Sequence, residues 1–201
     1  ALSTSRILGS RVVMWLDGPV GFKASLLKRM FLGLADHYIV ASTKARESLI
    51  RLGIRPQVID VVPLTVDVSA WGGSHPRLPA NLDSVFAEKQ MGRFILFCGR
   101  FIPVKNIDFV IELAARMKDL QDVTFLLVGD GPLRGILQQK VQERGLSNIV
   151  FLGFIPPEQL PPVFAMSEIL LLPSLREAWG AVVNEALATG IPVMVSSVAG
   201  A

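Results

Sequence analysis

Short apolar, β-branched runs alternate with helical patterns along most of the chain. The runs are "RVVMWL", "HYIVAS", "VIDVVP", "FILFCG", "VTFLLVG", "NIVFLG", "EILLLP" and "IPVMVSS". Uninterrupted apolar stretches of this length predict strands buried on both faces. Between two of them, Ile107, Val110, Ile111, Ala114 and Met117 keep helical spacing opposite Asp108, Glu112, Arg116 and Lys118. A βαβα rhythm of this kind predicts a parallel sheet covered by helices on both sides. The rhythm breaks between about Pro63 and Met91, where "PLTVDVSAWGGSHPRLPANL" is rich in Gly and Pro. A domain junction is expected there.

Composition narrows this picture. A chain of 201 residues, 51% hydrophobic and 18% charged, buries a core and is not disordered. Every apolar run is broken well before the ~20 residues a spanning helix needs. Arg6 and Arg11 also sit where a signal peptide needs its apolar core, so the sequence reads as an excised piece and not as a secreted precursor. The one cysteine, Cys98, has no internal disulfide partner and reads as a small core residue, with a cytosolic setting as the default.

Residues 1–52 hold eight Lys/Arg against three Asp/Glu, and the rest holds twelve against fourteen. The basic first segment is compatible with an anionic surface. Helical spacing, however, spreads Lys23, Lys28 and Arg29 around an axis whose apolar stripe is Phe22, Leu26, Leu27, Met30, Phe31 and Leu34. That predicts the solvated face of a core helix. Nowhere do Lys and Arg interleave with aromatics, which argues against nucleic acid. His37 and His75 lack metal-ligand spacing. "GDGPLRG" has its third Gly one position late for a dinucleotide fingerprint and is read as a tight turn, with Pro132 in the first turn of a helix.

Ligands of an open parallel sheet bind beyond the carboxyl ends of the strands. After "FILFC" comes "GRFIPVKN". Gly99 permits a close turn, Arg100 offers a planar fork for phosphate oxygens, and Lys105 adds a point charge near a helix N-terminus. After "EILLLP" comes "SLREAWGAVVNEALATG", with Gly180 loosening a turn, a helix expected from about Trp179, and Gly190 ending it. Glu177 then precedes that helix and Glu185 lies two turns in, at most ~12 Å apart along the axis. Glycosidase carboxyls lie roughly 5 to 9.5 Å apart. This pair suits a long ligand better, with a diphosphate at the helix N-terminus and hydroxyl-rich groups at both ends. Alone, the pair reads better as ordinary helix-start and surface residues. Trp15, Asp17 and Gly18 in "MWLDGPVG" follow a buried strand, where an approach to an acceptor and a packing and turn role both stay open.

The ordered set of segments is more specific than any one of them. Glu177, seven residues, then Glu185, preceded by "LLLPS" and followed by "EALATGIPV", resembles the retaining GT-B glycosyltransferases, the large family of phosphatidylinositol mannosyltransferases and sucrose synthases. "ADHYIVASTKARESLIRLGI" resembles the last helical segment of that family's first domain, and "VIDVVPLTVDVSAW" its interdomain crossing. "FCGRFIPVKNIDFVIELAARM", "FLLVGDGPLRGILQQ" and "IVFLGFIPPEQLPPVFAMSEILLLPS" follow in the family's order.

The resemblance implies an α/β GT-B fold of two Rossmann-like domains with parallel sheets, here the end of the first and most of the second. Residues 1–62 would close the acceptor-side domain, 63–92 would form the crossing, and 93–201 would be the donor domain, truncated at its C-terminus. By the same resemblance Arg100 and Lys105 clamp the donor diphosphate, Glu185 holds the ribose and Glu177 lies by the donor sugar. Gly99 lies beside that clamp, Gly153 and Phe154 line the base pocket, and backbone amides near Trp179 and Gly180 face sugar or phosphate.

The implied reaction moves a hexose from a UDP-, GDP- or ADP-sugar to a sugar or lipid-linked acceptor, with retention and without metal or other cofactor. The sequence agrees in lacking Asp-x-Asp. The implied setting is cytoplasmic, with peripheral contact at the inner face of a membrane open to it. Leu64-Thr65 stands where many relatives carry Asn-Gly. The family's Gly-rich loop and returning helix have no counterpart here, so little turnover is expected from these 201 residues alone. Two other readings remain open: a noncatalytic GT-B nucleotide-binding module and a GT-B sugar-nucleotide epimerase.

Overall fold

The computed structural model describes residues 9–21, 26–72, 82 and 92–198, without the side chains of Leu26 and Lys28. Two compact units emerge. One comprises the chain up to Thr65 with Ala178–Gly180, the other Val66–Glu177 with Ala181–Ala199.

In the first unit β1 (Val13–Leu16), β2 (His37–Val40) and β3 (Ile59–Val61) form a parallel sheet in that order, with helices α1 (Leu26–Leu32) and α2 (Thr43–Arg51) between them. Ser42 caps α2 by accepting from the Ala45 amide at 3.2 Å, as a short oxygen-bearing side chain does for an otherwise unpaired donor. Tyr38, Val40, Ala45, Leu49 and Ile59 make the core, and the Tyr38 hydroxyl donates to the Leu32 carbonyl.

The second unit carries α3 (Val68–Trp71), β4 (Arg93–Cys98), α4 (Ile107–Arg116), β5 (Val123–Val128), α5 (Arg134–Glu143), β6 (Ile149–Gly153), α6 (Leu160–Ala165), β7 (Ile169–Leu172), α7 (Ala181–Thr189) and β8 (Val193–Val195). Its strands are all parallel, in the order β6-β5-β4-β7-β8. β5 is buried at every position. Period-two alternation sends Leu126 and Val128 to one face, with Leu160, Val163, Phe164 and Ala186 from α6 and α7. It sends Val123, Phe125 and Leu127 to the other, with Ile107, Val110 and Ile111 of α4 and Leu137 of α5. Trp71 closes the first face edge-on against Phe164, with ring centroids 5.1 Å apart. Pro161 and Pro162 fit inside α6 because they occupy its first turn, where no amide is needed.

Several expectations are corrected. β1 and β8 are not buried on both faces. Val13, Trp15, Met194 and Val195 are exposed, and both strands lie at sheet edges among the described residues. The stripe on α1 does not face a core either: Leu27, Met30 and Phe31 are exposed and Leu32 is buried instead. Phe22, Lys23 and the Leu26 and Lys28 side chains lie outside the described residues, as do Arg6, His75 and most of the crossing at 73–81 and 83–91. Pro132 precedes α5 instead of entering it, since Leu133 is the cap. The last helix starts at Ala181, not near Trp179, because Gly180 has a left-handed φ of 91° that a helix cannot continue through.

Candidate functional site

Strand order locates the site. From β4 the chain moves outward through β5 and β6, then returns to place β7 on the other side of β4. The loops after β4 and β7 therefore diverge at a topological switch point, where a crevice opens at the strands' carboxyl ends.

The β4 loop begins at Gly99 and Arg100 and continues into a 3₁₀ turn, Pro103–Lys105. Asn106 takes a left-handed φ of 55°, tolerated by its short polar side chain, and starts α4. Its side-chain Nδ2 donates to the Pro173 carbonyl at 3.2 Å, and the Leu175 backbone amide donates to the Val104 carbonyl at 2.8 Å, so the two diverging loops are tied together. This places Lys105 against Glu177. The Lys105 ammonium donates to Glu177 Oε2, and the Ser174 hydroxyl donates to the same oxygen at 3.0 Å.

Beside this pair lies a cleft of about 390 Å³ lined by Cys98, Gly99, Arg100, Gly129, Phe154 and Ile155 among others. A register shift shapes its far wall. Val128 pairs with Gly153, one residue later than the preceding ladder requires, and Gly153 adopts φ 74°. The chain turns there, leaving Phe154 72% exposed, an aromatic surface with little packing role. The floor is formed by close backbone approach, with the Phe101 amide donating to the Asp130 carbonyl and the Leu133 amide to that of Phe101.

Glu185 is half-buried on α7, and burial raises its carboxyl above its ordinary value. It belongs to the same electrostatic neighbourhood. Burial pushes the Cys98 thiol up to about 12, Glu185 adds to that rise, and Lys105 opposes it. Cys98 is thus a protonated, unreactive cleft residue at neutral pH. A carboxyl raised in the folded state stabilises the fold below its unfolded value and loses that contribution as pH rises through its folded one. Glu185→Gln is therefore expected to raise the Tm of the ligand-free protein at about pH 7.5 by about 2 °C. The difference should vanish toward about pH 3, where the wild-type carboxyl is protonated in both states; paired thermal melts check it.

The structure thus brings Gly99, Arg100 and Phe154 to one cleft, with Gly153 shaping its wall and Lys105, Glu177 and Glu185 gathered near it. Trp179 and Gly180 belong to the first unit, where the Trp179 indole nitrogen is buried without a hydrogen-bond partner among the described residues. Sequence reasoning passed over Ser174, Asn106 and Cys98. The first two stand beside Glu177 and Lys105 in the chain, which is the signal that was there to use. Among the described residues no three of His, Cys, Asp and Glu gather closely enough to hold a metal ion. No helix among them is long and apolar enough to cross a membrane.

Known proteins share this fold. Residues 81–201 match the family model described as glycosyl transferases group 1. The chain is 36% identical over 152 residues to 2-deoxystreptamine glucosyltransferase of Streptomyces kanamyceticus, 74% of this chain and 39% of that protein. It is 28% identical over 195 residues to D-inositol 3-phosphate glycosyltransferase of Nocardia farcinica, 92% of this chain and 42% of that one. Among solved structures, Anabaena Alr3699/HepE in complex with UDP superposes with a TM-score of 0.84 at 21% identity, covering 99% of this chain and 57% of that chain. The chain thus spans less than two thirds of the proteins it matches. With the family model covering the whole sheet of the second unit, the chain belongs to the glycosyl transferases group 1 family and has the parallel-sheet, Rossmann-like fold of GT-B glycosyltransferases.

Proposed function

We propose that this chain is the donor-binding half of a nucleotide-sugar-dependent hexosyltransferase that retains anomeric configuration. The observation that carries the reading is the cleft at the carboxyl ends of β4 to β6, with the exposed Arg100 on its rim and the Lys105–Glu177 pair beside it. Support comes from Alr3699/HepE, whose structures hold UDP, UDP with glucose, and UDP-glucose. In this reading the base lies against Phe154 beyond the Gly153 turn, and Glu185 accepts from the ribose hydroxyls. Those hydroxyls replace the solvation that burial removes from its carboxylate.

The diphosphate meets Arg100 and Lys105. As the bond from the anomeric carbon to the diphosphate oxygen breaks, negative charge builds on that oxygen, and the Arg100 and Lys105 cations oppose it. Glu177 accepts from hydroxyls of the transferred sugar, which orients it. A sugar or lipid-linked acceptor is supplied from elsewhere in the protein, in the cytoplasm or at the inner face of a membrane, and no metal is required.

Calorimetric titration of the protein with UDP, GDP and ADP, and with their glucose or mannose conjugates, tests this. One base should be preferred, and Glu185→Ala should weaken its diphosphate by about tenfold, the value of one or two charge-assisted hydrogen bonds. Equal, weak binding of all three diphosphates, unchanged by the substitution, would remove the donor-site reading.

A further inference from the structure

Lys105 does not face its ligand as a bare cation. Its side chain is 18% exposed and that of Glu177 12%, so their contact is largely withdrawn from solvent, unlike the surface ion pairs of α4 and α5. Glu177 is also held in place. Ser174, 1% exposed, donates to it, the Ser196 hydroxyl donates to the Ser174 carbonyl at 2.6 Å, and Asn106 holds the Pro173 carbonyl. Both bonds to the carboxylate fall on Oε2, leaving Oε1 to meet a hydroxyl.

A free nucleoside diphosphate differs from its sugar conjugate at this point. Its terminal phosphate has a second ionisation at about pH 6 and so carries additional negative charge at neutral pH. It also brings no sugar hydroxyls. Beside Glu177 the free diphosphate meets like charge and competes with a carboxylate for the one ammonium. The sugar nucleotide offers less charge and donates hydroxyls to the same carboxylate.

Resting on the donor-site reading above, we infer that Glu177 is a specificity-determining residue. Positioned by Ser174, it withholds Lys105 from free nucleoside diphosphate and so favours the intact sugar nucleotide over the spent product. Specificity here is a difference of two affinities, set by repulsion of the wrong ligand as much as by attraction of the right one.

The test is titration of the protein at its full natural length with UDP and UDP-glucose, and in parallel GDP with GDP-mannose and ADP with ADP-glucose. The proteins compared are the wild type, Glu177→Gln, Ser174→Ala, Lys105→Ala, the Glu177→Gln/Lys105→Ala double variant and Arg100→Ala. Glu177→Gln keeps the shape and removes the charge. It is expected to tighten the bound diphosphate roughly three- to tenfold and to shrink the preference for the sugar conjugate. Ser174→Ala should move both quantities the same way by less.

In the Lys105→Ala background the Glu177 substitution should tighten diphosphate less, by relief of like charge alone, a non-additivity that a merely structural role would not produce. Diphosphate binding that weakens or stays unchanged in Glu177→Gln, or that tightens equally without Lys105, overturns the inference. If Arg100→Ala loses affinity in that same series, the donor site itself stands and only the inference falls. A wild type that binds no diphosphate overturns both.

Discussion

Gly129→Ala is expected to cost more than about 4 kcal/mol and to leave the second unit unfolded or insoluble, as chemical denaturation monitored by circular dichroism will show. Gly129 has φ 129°, in the region L side chains avoid. A Cβ there would lie 2.9 Å from the carbonyl carbon of Gly99 and nearer still to its oxygen. That oxygen cannot retreat cheaply. The Gly99 amide is bonded to Val128 at 3.0 Å, continuing the β4–β5 ladder, so retreat would pull apart the centre of the sheet. Strained φ and overpacking each cost about 1–3 kcal/mol, and here they fall on one residue. Gly135 supplies the control. It lies within α5 with nothing within 4 Å of an added Cβ, so Gly135→Ala should gain about 0.5–1 kcal/mol. Similar losses for both substitutions would refute the backbone-approach argument.

The same close approach explains what the sequence conceals. The strands of the second unit were legible because each is a short apolar run bounded by Gly, Pro or charge, and a run buried on both faces leaves no other pattern. Edge character was not legible. "RVVMWL" and "IPVMVSS" are as apolar as β5, yet Val13, Trp15 and Met194 are exposed, because apolarity records hydrophobicity and not what covers each face of a strand. The α1 stripe failed for a related reason. Periodicity shows that a helix has an apolar face, but not what lies against it, and Leu27, Met30 and Phe31 meet no cover among the described residues.

For the site, Arg100 and Lys105 could be marked from their place after a buried strand. Their separate situations could not. Lys105 is paired and largely withdrawn while Arg100 is exposed, a distinction that arises from Glu177, 72 residues from Lys105 in the chain. Sequence spacing measured Glu177 against Glu185, its neighbour along the helix, whereas the fold couples Glu177 to the loop across the switch point.

In the donor-site reading proposed above, that distinction makes Arg100 the more telling residue. Arg100→Ala is expected to weaken nucleoside diphosphate binding by about tenfold to hundredfold, the loss of one or two charge-assisted hydrogen bonds. The rate of sugar transfer should fall further, by about 10²- to 10³-fold, because charge on the departing diphosphate oxygen grows toward the transition state and the missing cation matters most there. The fold should not suffer. Arg100 is exposed and its backbone carbonyl, not its side chain, receives the Ile102 amide, so the variant's Tm should match the wild type within about 1 °C. Arg100→Lys should recover charge without the planar fork and regain part of the affinity but less of the rate. Steady-state kinetics of the protein at its full natural length with the preferred donor, beside thermal melts of each variant, separates these effects. A rate that falls only as far as binding does would mean that Arg100 holds the ground state alone, and that offsetting the leaving-group charge rests with Lys105 once Glu177 has released it.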